Sequence, residues 1–165
     1  MLLFFVTIAN NVFLQLMSSL FFKTKVLDDK KWIFDPIRKK FIVLTPEESV
    51  RQSILAYMVE RKFYPINFIS VEKQITYAEK NRRFDIVIYD KNHHPCILIE
   101  CKRPEIQISQ KTMEQAALYN QVLRVPYLVL TNGQQHFVIQ LNLGTGEYQW
   151  LSDLPERELI WSVED

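Results

Sequence analysis

Residues 83–102 read RFDIVIYDKNHHPCILIECK, and the arrangement of the whole chain follows from this segment. Ile86, Val87, Ile88 and Tyr89 form a β-branched and aromatic run, and Cys96, Ile97, Leu98 and Ile99 form another. The DKNHHP between them is rich in turn formers, so the stretch predicts a β-hairpin. Pairing Asp90 with Pro95 across the turn and counting outward sets Asp85 opposite Glu100. Side chains alternate along a strand, which puts Glu100 and Lys102 on one side and Cys101 on the other.

Two facing carboxylates repel and raise each other's pKa, so a cation is expected beside them. Lys102 supplies part of that charge. A divalent ion such as Mg²⁺, with Mn²⁺ as its substitute, supplies more, because hard cations take carboxylate oxygens and keep several waters. An ion held there lowers the pKa of a bound water and neutralises charge on phosphorus oxygens, while a neighbouring lysine orients or deprotonates the attacking water. Asp85 and Glu100 are therefore the candidate metal ligands and Lys102 the candidate catalytic lysine.

Downstream, Ser109 is placed to cap a helix running to about Leu123, with Lys111, Gln115 and Tyr119 recurring every four residues on one face. Asp85, then Glu100-Cys101-Lys102, then Gln115-Ala-Ala-Leu-Tyr119 resembles the PD-(D/E)xK nuclease motif with the QxxxY element of its RecB-like and restriction-enzyme branches. The words TPEESVRQ, RRFDIVIYD, LIECKRP and YLVLTNG are similar to the N-terminal nuclease domain of type I restriction enzyme R subunits, over roughly Trp32 to Leu154. Phe84 stands where the motif name has proline. The resemblance implies an α/β (α+β) fold, a restriction-endonuclease-like mixed β-sheet core flanked by helices. It also implies a Mg²⁺-dependent DNA endonuclease in which Gln115 and Tyr119 organise the lysine and the DNA. The rival reading is a non-cleaving nucleic-acid-binding or assembly module that keeps the fold.

Around this centre the chain divides into an apolar leader (1–22), an N-terminal hairpin arm (23–45), the nuclease-like domain (46–154) and a C-terminal tail (155–165). Residues 1–22 carry no charged side chain. They read as a membrane anchor, as a packed or swapped helix, or as the product of a start codon set too far upstream; the last is preferred because the resemblance begins after them. Trp32 to Phe34 and Phe41 to Leu44 predict a hairpin serving as an arm over a sheet edge.

Thr45-Pro46-Glu47-Glu48 is a helix start, and Val50, Ile54, Met58 and Val59 follow a helical period. Glu48 pairs with Arg51 one turn on. In related nucleases a glutamate of the first helix reaches the metal, and the E-x-x-R spelling here resembles that pattern, making Glu48 the third candidate ligand and Glu47 its alternative. Ile66 to Tyr77 predicts a strand beside the hairpin, with a bulge or break near Lys73 and Gln74, then a charged turn from Ala78 to Arg83. Val125 to Leu130 predicts a strand parallel to that of Ile97. His136 to Leu141 and Tyr148 to Leu151 predict antiparallel strands, and Pro155 to Trp161 a short helix.

A chain of 165 residues, 48% apolar and 24% charged, suits one domain with one core. Its net charge of +1 argues against a protein that coats nucleic acid indiscriminately, so the basic residues matter by position. Arg51, Lys80, Arg82, Arg83, Arg103 and Lys111 are the candidate DNA contacts. Cys96 and Cys101 are expected on opposite faces of one strand, unbridged, which fits a reducing cytoplasm. His93 and His94 sit in the distal turn without the second ligand pair of a zinc site. No P-loop is present, so translocation is not expected of these residues. The chain is expected to act alone, to join an assembly with restriction-system subunits or a helicase on another chain, or to represent a detached domain, and a homodimer would suit double-strand cleavage.

Overall fold

The computed structural model describes residues 21–77, 80–109, 112–113, 116–117, 120 and 123–161, with the backbone alone at 75–77 and 80–82. Residues 1–20 of the leader and the turn at 78–79 lie outside them, as do Lys111, Gln115 and Tyr119, whereas Phe21 at the leader's end is buried in the core. A six-stranded sheet carries the molecule. Its strands β4 (Ile69–Tyr77), β5 (Lys80–Tyr89), β6 (Pro95–Cys101), β7 (Tyr127–Thr131), β8 (His136–Leu141) and β9 (Tyr148–Leu151) stand in sequence order. All neighbours are antiparallel except β6 and β7, which run parallel, as expected of strands joined by a helical crossover. Residues 112, 113, 116, 117, 120 and 123 of that crossover are helical.

Strands β6 and β7 are buried almost throughout, the mark of a sheet covered on both faces. On one face Ile86, Ile88, Ile97, Ile99 and Val129 pack against Val50, Ile54, Leu55 and Met58 of helix α1 (Pro46–Glu60). On the other, Val87, Leu98, Leu128 and Leu130 pack against Ala116 of the crossover helix and Ile108 before it. Burying each such aliphatic side chain contributes about 1.5–3 kcal/mol, so the sheet's alternation is what orders the two helical layers.

Helix α1 begins as its sequence dictates: Thr45 Oγ1 accepts from the Glu48 N–H at 3.1 Å, and Pro46 occupies the first turn. The N-terminal segment is a three-stranded sheet, β1 (Thr24–Leu27), β2 (Lys30–Asp35) and β3 (Lys40–Val43), rather than a bare hairpin. Its described strands pair only with one another. The tail is likewise no appendage, because Tyr64 Oη donates to the Pro155 carbonyl at 2.9 Å and Trp161 stacks edgewise on Tyr64.

The central hairpin reaches the expected register by an unexpected route. Tyr89, not Asp90, pairs with Pro95, while Ile88 pairs with Ile97, leaving Cys96 as the extra residue of a β-bulge. The Asp90 N–H instead donates to the His94 carbonyl, and Asp90 Oδ1 accepts from the N–H groups of Asn92 and His94. Past the bulge the expected register returns, with Ile86 facing Ile99, and Asp85 and Glu100 follow just beyond these last paired residues. The bulge also shifts the alternation at Cys96. Cys96 and Cys101 consequently join the same core cluster, as free thiols, instead of pointing to opposite faces.

The charged turn expected from Ala78 to Arg83 is shorter, because strand β5 already begins at Lys80. The break expected near Lys73 falls at Glu72. The ladder runs Val71 to Ile86 and Lys73 to Phe84, omitting Glu72 and Asp85 between them. Glu72 there has φ +54°, a left-handed backbone that costs a non-glycine residue about 1–3 kcal/mol.

Candidate active site

Asp85 and Glu100 come together where the pairing of β5 with β6 ends, on the hairpin that the sequence predicts. Asp85 Oδ2 accepts the Cys101 N–H at 2.7 Å, and its Oδ1 accepts from Arg51 Nη2 at 2.9 Å. Glu100 is 5% exposed, and its Oε1 is buried with no hydrogen-bond partner. Burial, and after it the Asp85 charge, pushes the Glu100 carboxyl up to about 8, with Lys102 acting in the opposite direction. Glu100 is therefore an incompletely satisfied acid beside one that arginine already holds, a state relieved by a proton or by a cation.

Lys102 lies on Glu100's side of the sheet, as alternation requires. Its Nζ is 3.8 Å from Glu100 Oε2, and about a third of its side chain faces solvent. Its backbone is fixed by the neighbouring strand, since the Lys102 N–H donates to the Thr131 carbonyl at 2.8 Å. Beyond β7, Thr131-Asn132-Gly133 makes a turn in which Asn132 Oδ1 accepts from the N–H groups of Gln134 and Gln135. Asn132 Nδ2 donates to the Ile106 carbonyl at 3.0 Å, tying down the loop that follows Lys102. Gly133 has φ +85°, and a Cβ there would stand 3.2 Å from Val50 Cγ2, so the turn needs glycine both for its backbone and for its fit against α1.

Glu48 does not join the pair. Its Oε2 accepts from Arg51 Nη1 at 2.6 Å, and its Oε1 from Gln52 Nε2 at 2.9 Å and Arg38 Nη2 at 3.2 Å. Both oxygens are engaged, as both of Asp85's are, and what sets Glu48 apart is that Arg51 stands between it and Asp85. Burial raises the pKa of Glu48, against the pull of Gln52, Arg51 and Arg38. The alternative, Glu47, is only loosely engaged, with Oε1 3.9 Å from Arg51 Nη2. Among the described residues no three acidic, histidine or cysteine side chains gather into a metal-binding group. An ion at this place would meet two carboxylates, Asp85 and Glu100, and the orphaned Glu100 Oε1 fits a hard cation that would take its other ligands from water or phosphate oxygens.

Arg51, expected as a DNA contact, is 3% exposed and enclosed by carboxylates, so its guanidinium is not presented to a phosphate. Arg83 is exposed and its Nε holds Glu72 Oε2 at 2.7 Å. Arg103 is exposed beside Lys102. The side chains of Lys80 and Arg82 lie outside the described residues, as do Lys111, Gln115 and Tyr119 entirely.

The structure adds residues that sequence reasoning missed. Asp35, fully buried, accepts from the N–H groups of Ile37 and Arg38, from Arg38 Nε and from Gln52 Nε2. The N-terminal sheet is thereby linked through Arg38 and Gln52 to Glu48, and onward through Arg51 to Asp85. Gln52 lies one turn past Glu48 and was open to detection by spacing. Glu72 was not, because nothing in its neighbours announces a left-handed residue in a strand.

Residues 46–155 match the family described as type I restriction enzyme R protein N terminus. No curated protein matches. The fold is similar to a solved fragment of a putative HsdR subunit of a type I restriction enzyme from Vibrio vulnificus YJ016, with TM-score 0.53 and 21% identity over 71% of this chain. The match takes in 24% of that chain, so the protein corresponds to about a quarter of its length. No described helix is long and apolar enough to cross a membrane. With a family match running from the first turn of α1 to the end of the large sheet, the chain belongs to the type I restriction enzyme R protein N-terminal family.

Proposed function

We propose that the chain is a metal-dependent DNA endonuclease domain that hydrolyses phosphodiester bonds, working with other subunits of a restriction system. The observation that carries this reading is the pairing of Asp85 with Glu100, whose Oε1 is buried and unpartnered. A Mg²⁺ or Mn²⁺ ion between these carboxylates would supply a water of lowered pKa and neutralise charge on the phosphate.

The chain's own residues do the rest. Asp85 stays oriented through Cys101 and Arg51, and Glu100 would offer the ion its unpartnered oxygen. Lys102, anchored at Thr131 and reaching the open rim, orients or deprotonates the attacking water. Arg103 and Arg83 are exposed and would contact backbone phosphates, Arg83 from its ion pair with Glu72. Gln115 and Tyr119 belong to the same proposal by resemblance alone.

The test is cleavage of labelled duplex DNA, linear and supercoiled, with Mg²⁺, with Mn²⁺ and with chelator. Lys102→Ala should keep the circular dichroism spectrum of the parent and lose cleavage by about 10²–10⁴-fold, the usual worth of a positioned acid or base. Binding without cleavage under every metal condition would move the chain to the assembly-module reading.

A further inference from the structure

The guanidinium of Arg51 is surrounded as a metal ion would be. Nη1 lies 2.6 Å from Glu48 Oε2 and 2.6 Å from Glu72 Oε1, and Nη2 lies 2.9 Å from Asp85 Oδ1. The side chain is only 4% exposed. Burial by itself would lower the pKa of this arginine, and Asp85, Glu48 and Glu72 together outweigh it and raise it. The outer oxygens of Glu48 and Glu72 have their own cations, Arg38 Nη2 and Arg83 Nε, so one oxygen of each of the three acids is left for Arg51.

Glu72 supplies an independent sign that this gathering is specified. Its left-handed backbone interrupts β4 at the position facing Asp85, and its carboxylate reaches into the site from there. Strain of that kind persists where surrounding contacts over-determine it. Three acids from three elements, α1, β4 and β5, converge on a charge that is fixed to the chain and that, unlike lysine's, is never given up.

We propose that Arg51 is a tethered internal cation and a positioning residue: it holds Asp85, and it occupies the place among Asp85, Glu48 and Glu72 that a second divalent ion would otherwise take. This rests on the reading of Asp85 and Glu100 as a divalent-ion site, and it assigns that site a single exchangeable metal. Helix α1 then contributes an arginine to the centre, with Glu48 as the counter-charge that keeps it there. Removing the guanidinium leaves three buried carboxylates without the counter-charge they share, a state that uptake of a divalent ion relieves.

The test is isothermal titration of Mn²⁺ alone into the metal-free full chain, beside Arg51→Met and Arg51→Lys. The parent is expected to bind one ion, Arg51→Met two, and Arg51→Lys, which keeps the charge, one. The melting temperature of Arg51→Met should rise further on Mn²⁺ addition than that of the parent. Should Arg51→Met be unfolded without metal, far-ultraviolet circular dichroism during the titration takes over: refolding supports the inference and a chain that stays unfolded overturns it. Equal, non-zero stoichiometry in the parent and Arg51→Met, or a second ion in Arg51→Lys, overturns this inference alone. Uptake by Arg51→Met but none by the parent removes the Asp85–Glu100 metal reading and leaves the role of Arg51 standing, whereas no uptake by either overturns both.

Discussion

The Cys101 N–H donates to Asp85 Oδ2 at 2.7 Å, so the carboxylate opposite Glu100 is held by the strand segment that carries Glu100. The two acids are therefore positioned relative to each other by backbone and not only by side-chain packing. With Arg51 on its other oxygen, Asp85 has little rotational freedom left.

That geometry makes Asp85→Asn informative. The amide oxygen can keep the Cys101 bond, but the amide nitrogen then faces Arg51 Nη2, donor against donor. A buried donor left unpaired costs about 1–3 kcal/mol. The urea midpoint should fall accordingly while the fold survives, and Mn²⁺ uptake at the Asp85–Glu100 pair should vanish; parental metal affinity in Asp85→Asn would remove Asp85 from the ligand set.

Glu100 predicts a pH dependence of stability in chelator. Its carboxyl is raised from 4.5 to about 8 by burial and by Asp85, so between those values the native chain holds a proton that the unfolded chain has released. Stability contributed by this group is complete below the lower value and is lost as pH climbs through the higher one. The melting temperature should fall across that window, and the fall should shrink with Mg²⁺ and in Glu100→Gln. An unchanged slope in Glu100→Gln would assign the effect to another group.

Glu48→Gln separates a ligand from a counter-ion. Glu48 neutralises Arg51 and Arg38, so the substitution should lower the melting temperature yet leave the number of Mn²⁺ ions bound to the chain unaltered. Loss of the ion from Glu48→Gln would restore Glu48 to the metal, as the first-helix glutamate of related nucleases suggests.

Tyr64 tests how far the tail belongs to the domain. Its hydroxyl holds the Pro155 carbonyl in a buried setting, and Tyr64→Phe removes the donor while keeping the ring stacked on Trp161. An unpaired buried carbonyl costs about 1–3 kcal/mol. A drop of roughly 2–4 °C in melting temperature for each kcal/mol follows for a chain of this size. No change by calorimetry would mean that water replaces the tyrosine and that the tail is only loosely closed.

The strands and their order were written in local pattern. Apolar runs such as CILI and YLVL, turn formers between them and a capped start at Thr45 each act within a few residues, so β6, β7, β8, β9 and α1 were legible as elements, and Asp85 and Glu100 as partners. The same locality explains the misreadings. A bulge at Cys96 depends on how a proline-bearing strand closes a turn, and it moved the turn pairing by one residue while the register from Ile88–Ile97 to Ile86–Ile99 stayed as expected.

The roles of Glu48 and Arg51 emerged only once the elements were packed together. Spacing along α1 shows that they lie one turn apart; it does not show that Glu72 and Asp85, from two different strands, close around the arginine. Charge compensation in a buried site is settled by whichever groups arrive there, and Glu72 arrives through a backbone conformation that composition and periodicity leave unmarked. Which side chains face each other across the hairpin could be read from the chain of letters, because a strand has a period of two. The identity of the cation each acid meets required the third dimension, because it depends on elements far apart along the chain.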